Sequence, residues 1–335
     1  MWQLLSSRKS LILRSAFQLF VSVGLLYTAL GLAETNIQIP VVLISRSPSI
    51  LVAICGLFLL QVILIAARQT FLAKSLNMMV PLRVFGRIQF GAIFLAQVTP
   101  SNIGGDIYTW FALTLRTNQN LKSATVILAD KFVALFGICM TIFGASIACL
   151  FIEDSIIHRL TNQVTSVSTQ YSLPHLGAKM AIGIAIILTM GFALRERILN
   201  FISPLREKFH KLFLDFRETQ GWYYLSVSCF IAVLSALNLF FIVVCIASIV
   251  TVDVEFIGLA IVFLFSLVIG MLPLSLAGWG TRELTMIYGL TALGVSVENA
   301  LMISVCFGLT FLTLSLPLAL YLCVCWLMER SSKAT

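Results

Sequence analysis

Residues Thr99–Asp106 read TPSNIGGD. They interrupt an apolar run with a proline, two adjacent glycines, three small polar residues and a carboxylate. Proline cannot donate a backbone hydrogen bond and glycine loses the most freedom on ordering, so this composition ends a helix. In a water-soluble chain it would be a surface turn. Here the flanks, Val84–Val98 and Ile107–Leu115, are apolar but shorter than the roughly twenty residues a helix needs to cross a bilayer. Non-helical backbone at membrane depth persists only where protein buries it or a wet cavity solvates it. A second stretch, Pro273–Glu283, reads PLSLAGWGTRE and repeats the order: proline, small residues, spaced glycines, then charge. The fold depends on how these two breaks are related.

Composition sets the solvent. Hydrophobic residues make up 59% of the 335 residues and charged residues 11%, against roughly 25% charged in a soluble domain. Only a polytopic membrane protein accommodates that ratio over such a length. A β-barrel needs alternating segments of about ten residues. Here the runs are continuous and about twice as long, as in Leu176–Leu194 and Tyr224–Val250, so the expected class is all-α. The formal charge of +8 invites a nucleic-acid reading, but the basic residues cluster in short loops between apolar runs, where membrane topology places them, and that argues against it. It favours anionic lipid head groups more weakly. The eight cysteines all lie inside apolar runs and form no CxxC pair, and the three histidines show no metal spacing. No metal or cofactor is expected.

Charge also assigns sides. Arg8, Lys9 and Arg14 flank a first span at about Ile12–Leu32, read as uncleaved, with the N-terminus cytoplasmic. The loop Ala33–Ser47 holds only Arg46 and reads as external. A second span, about Ser49–Leu72, returns to Arg68, Lys74, Arg83 and Arg87. The TPSNIGGD unit has basic residues on both sides, ending in Arg116 and Lys122, which fits a re-entrant hairpin from the cytoplasmic face. About Ser123–Ile152 crosses outward to an acidic, polar loop, and about Gly177–Leu194 crosses back. Residues 195–220 are basic with apolar residues at three- and four-residue steps, the pattern of an amphipathic helix on the inner leaflet. It serves either as a linker or as a lipid-docking element. A fifth span at about Trp222–Val250 leads outward. A second hairpin, Phe256–Leu272 and Leu284–Leu293, enters from outside, though two full crossings would also satisfy the charges. A last span at about Ala300–Trp326 ends at a basic cytoplasmic tail. Span, span, hairpin, span therefore occurs twice with opposite orientation, in pseudo-repeats of about 1–160 and 170–335. That makes about six full spans plus two hairpins, or eight spans if the hairpins are counted. It is the inverted-repeat plan of many secondary transporters.

Charges near the breaks are the candidate site. A lipid-exposed Asp106 would cost about 2.5–3.5 kcal/mol, so it should face a cavity or a partner, and the same holds for Arg282 and Glu283. Asp130 and Lys131 are neighbours in sequence, so they point about 100° apart and need not pair. In one reading, Arg282 and Lys131 meet a phosphate head group while Asp106 and Glu283 hold those cations or a coupling proton. In the competing reading, the charges only pair with one another across the repeat interface. Gly104, Gly105, Gly278 and Gly280 would let free backbone N–H groups approach an anion, or would simply pack helices closely. The turn residues Thr99, Pro100, Ser101 and Asn102 complete the candidate head-group contacts, with Arg116 and Asp130 as supporting charges. No Walker loop, paired-histidine helix or nucleophile elbow is present in the sequence.

TPSNIGGD with the downstream Arg116 and Ala129–Asp130–Lys131, and LPLSLAGWGTRE starting at Leu272, resemble the blocks of the lysylphosphatidylglycerol synthase transmembrane-region family, also called flippase-like membrane proteins. The resemblance spans nearly the whole chain, and the second block is the more specific. Two departures stand out. Ala277 replaces a common glycine beside the bulky Trp279, and Asp130–Lys131 replaces the usual Glu–Arg, although lysine cannot make arginine's bidentate phosphate contact. In two-domain relatives this membrane part is joined to a soluble domain that charges phosphatidylglycerol with an amino acid. The sequence ends at Thr335, so a stand-alone member without the synthase domain is expected.

The resemblance implies movement of an amphipathic, anionic or phosphate-bearing lipid between leaflets. The alternative is an integral-membrane enzyme or accessory subunit in glycolipid, polyprenyl-linked sugar or hopanoid synthesis. The partners expected are a membrane lipid and a separate lipid-synthesising enzyme. The location expected is a cell membrane, foremost a bacterial inner membrane, with both termini cytoplasmic.

Overall fold

A computed structural model describes residues 48–99, 103–152, 220–250, 254–271 and 278–332. The expected first and fourth spans, residues 195–219 of the amphipathic segment, Pro100, Ser101 and Asn102, and residues 272–277 lie outside the described residues. The described residues are helical apart from short connections, with no strand among them.

The elements are α1 (Pro48–Ser75), α2 (Leu82–Val98), α3 (Ile103–Thr117), α4 (Asn120–Ile152), α5 (Gly221–Ile249), α6 (Phe256–Gly270), α7 (Thr281–Thr291) and α8 (Val297–Ser332). Four of them, α1, α4, α5 and α8, are long and apolar enough to cross a membrane. The chain is an all-α membrane protein. The boundaries follow local chemistry. Pro48 opens α1, where its missing N–H costs nothing. Lys74 sits in the last turn of α1, beside the negative end of the helix. Asn118, between α3 and α4, takes φ 53°, a left-handed value that asparagine tolerates. Gly294 does the same at φ 88° between α7 and α8.

The elements beside the breaks are short. A helix rises about 1.5 Å per residue. The 17 residues of α2 therefore reach about 25 Å, and the 11 residues of α7 about 16 Å. Both fall below the roughly 30 Å of a hydrocarbon core. Each pair folds back on itself. A Cβ at Gly105 would lie 2.5 Å from the Ala92 carbonyl oxygen, so α3 rides directly on α2's backbone. In the second pair, Gly289 lies against Val262 and Gly258 against Leu293. Small residues at the contact let the backbones close, as membrane helices do without water to drive them together.

The helices contact one another in matching pairs. α1 lies along α5. α2 packs on α8, and α6 packs on α4. The main core joins the first half of α1 to α5–α8, and a run of rings links three of these helices. Phe263 meets Phe307 at 4.9 Å, Phe307 meets Phe311 at 4.9 Å, and Phe311 meets Phe58 at 5.5 Å. A smaller core joins the second half of α1 to α2–α5.

Candidate functional site

Charge is concentrated in three places. At the first break the Thr99 hydroxyl donates to the Leu95 carbonyl at 2.5 Å and accepts the Gly104 N–H at 3.1 Å. The threonine thus ends α2 and caps α3 with one side chain. Asp106 follows in the first turn of α3, the end at which a helix favours negative charge. Its Oδ1 accepts the Lys131 Nζ of α4 at 3.0 Å. Both side chains are partly open, Lys131 at 49% and Asp106 at 34%. Lys131 stands about 16 Å along α4 from Asn120.

The second break is closed by its own charges. The Glu283 carboxylate accepts the Gly280 N–H at 2.5 Å and the Arg282 Nη2 at 2.7 Å. Arg282 Nε reaches both Glu283 and the Ser304 hydroxyl at 3.2 Å, and Ser304 donates to Glu283 at 3.2 Å. The guanidinium lies 5.2 Å from the Trp279 ring and 5.5 Å from that of Phe307. Both distances are within cation–π range. Its seat is Gly308, where a Cβ would come 2.5 Å from Nη2. Arg282 is 6% exposed and Glu283 is fully buried.

The third cluster was not legible as a site. Asp130 does not serve Lys131. It takes a bidentate pair from Arg68 of α1, at 2.6 and 3.1 Å, and a bond from Gln69 at 3.1 Å. Gln89 of α2 extends the network by donating to Gln69 at 2.6 Å. Arg68 is therefore a buried, paired residue inside α1 and not an interfacial marker of the cytoplasmic side. Lys74, Arg83 and Arg87 are left to argue that side. The signal available was Gln61, Arg68 and Gln69, polar residues within an otherwise apolar 28-residue helix.

The three ion pairs found among the described residues each join residues that the sequence reading places in the same half: Asp106 with Lys131, Asp130 with Arg68, and Glu283 with Arg282. Two N–H groups expected to be open to an anion, those of Gly104 and Gly280, are already taken by Thr99 and Glu283. Gly278 and Gly280 hold φ of 79° and 91°. Side chains rarely adopt such values, so backbone conformation explains both glycines. Arg116 lies in the last turn of α3, exposed, at the foot of the first hairpin.

With this geometry in hand, the sequence profile described as the lysylphosphatidylglycerol synthase TM region matches residues 15–319. The chain belongs to that family. No curated protein and no solved structure matches it. Membership in the lysylphosphatidylglycerol synthase TM-region family ties the chain to a lipid-related function in the membrane. The match covers both breaks and all three clusters.

Proposed function

We propose that this protein moves an amphipathic lipid with an anionic or phosphate-bearing head group between leaflets. The observation that carries this reading is the Asp106–Lys131 pair. It is a half-open ion pair about 16 Å along a helix long and apolar enough to cross the membrane, beside the first break, which we place inside the bilayer. A lipid-facing charge is costly inside the bilayer, so an open pair there belongs to a wet cavity. Lys131 offers a point charge to a phosphate oxygen, and Asp106 holds the lysine until the head group displaces it. The Arg282–Glu283 cluster, buried and internally paired, positions the second hairpin.

The plan behind this reading is two halves of opposite orientation. What supports it is the matched packing of α2 on α8 and α6 on α4 about the α1–α5 contact, with a break at the corresponding place in each half. The expected membrane is a bacterial inner membrane with both termini inside.

The test is transfer of fluorescent NBD-labelled phosphatidylglycerol in proteoliposomes, read by dithionite bleaching. The protein should expose the inner-leaflet pool, and Lys131→Ala should slow that exposure to the rate of empty vesicles. If wild-type protein performs no better than empty vesicles, the reading fails.

A further inference from the structure

Between the start of α1, the end of α5 and the middle of α8 lies a cavity of about 260 Å³. Its walls are Leu51, Ile54, Cys55, Ile249, Leu309 and Leu314, with Thr310 and Thr313 adding methyl groups. Both threonine hydroxyls are spent on their own helix, at 2.8 Å to the Cys306 carbonyl and 2.7 Å to that of Leu309. The crevice therefore asks for no hydrogen bond. An apolar cavity of about 150 Å³ stays dry and takes up benzene, so this larger one suits hydrocarbon and not water. Cys55 is exposed at its mouth, whereas one turn along α1 the Phe58 and Phe311 rings meet and close it.

Its position follows from the pairing of the halves. α4 lies along α5, and Gly137 makes this possible: a Cβ there would lie 2.5 Å from the Ala232 backbone. The counterpart of that contact is α8 against α1, and these two helices meet at only a few points. Leu314 lies as far along α8 as Gly137 lies along α4, and it lines the crevice. One gap between the halves is zipped by a glycine. The matching gap is held open by a leucine.

We infer that this crevice is a berth for one acyl chain of a membrane lipid, entered sideways from the bilayer beside Cys55. The loop charges put the start of α1 and the end of α5 at the outer face, so the berth serves the outer leaflet. The inference rests on the lipid reading above, to which it adds a place for the tail distinct from the head-group pair at Asp106–Lys131.

The experiment is photo-crosslinking of purified wild-type protein in nanodiscs, using phosphatidylglycerol or phosphatidylcholine with a diazirine on one acyl chain. Cross-links should concentrate on residues 51–55 and 306–314, at least several-fold above lipid-facing positions such as Phe132 and Phe230. Thr310→Phe, which fills the crevice, should remove that excess. Cross-links spread evenly over the outer helix faces would overturn the berth, as would an excess untouched by Thr310→Phe in a protein that still folds. If Thr310→Phe does not fold, the wild-type map alone decides. Enrichment at the crevice in protein that does not transfer NBD-labelled phosphatidylglycerol keeps the berth and overturns only the transfer reading.

Discussion

The acids of the three ion pairs, Asp106, Asp130 and Glu283, have unequal duties. Asp130 is buried and accepts three hydrogen bonds. Removing one partner of a buried pair strands the other charge and costs about 3–5 kcal/mol, while replacing both with apolar groups of similar size is often neutral. Asp130→Ala should therefore lower the melting temperature in detergent sharply. Arg68→Met with Asp130→Leu should recover most of the loss. A double variant as unstable as the single would show that the pair contributes more than charge neutrality. Arg282→Ala should behave like Asp130→Ala, because Glu283 would be left buried with only Ser304 and the Gly280 N–H beside it. Loss of activity in that variant would report unfolding, not loss of a ligand. The open pair is different. Half-exposed ion pairs contribute about 0–1 kcal/mol, so Asp106→Asn and Lys131→Ala should leave thermal unfolding almost unchanged. Under the proposed function, both should abolish lipid transfer. A parallel fall in melting temperature and transfer would assign this pair to structure.

Among the elements, closure of the first hairpin depends on a glycine set against backbone. At Gly105 a methyl group would press on the Ala92 carbonyl, which is backbone and cannot swing away. Gly105→Ala should destabilise the first hairpin by about 1–3 kcal/mol, the usual cost of overpacking, read as a lower melting temperature. Gly144, with nothing near its Cβ, should accept alanine and serves as the control. These contrasts also explain what could be read from the chain. The four described spans were legible because an apolar run of full length has few alternatives in a bilayer. The two breaks were legible because proline and glycine act locally. Asp106, Arg282 and Glu283 could be picked out because each sits beside a break. Arg68 was missed, since its partner is 62 residues away and its only local signal was the neighbouring Gln61 and Gln69 within an apolar helix. The direction of each side chain was equally hidden. Asp130 and Lys131 are adjacent, yet one reaches α1 and the other α3.

At the scale of the molecule, the relation between the halves turns on Gly137 and the two gaps. If the α4–α5 contact is a permanent interface, Gly137→Leu puts a large side chain against the Ala232 backbone and the protein fails to fold. If the halves rock about the α1–α5 axis, the same substitution is absorbed by opening this gap and closing its counterpart. The second outcome is expected, because α8 and α1 already accept Leu314 at the corresponding position by standing apart. Gly137→Leu should then remain folded and monodisperse while lipid transfer is lost, since one arrangement is held. The crevice should narrow, so Cys55, retained as the only cysteine, should react more slowly with a maleimide than in the parent. Unchanged Cys55 reactivity in a folded Gly137→Leu protein would uncouple the two gaps, and outright misfolding would make the α4–α5 contact a fixed part of the scaffold. In either case the halves would no longer be related by motion, and the case for alternating exposure of the head-group site would rest on Lys131 alone.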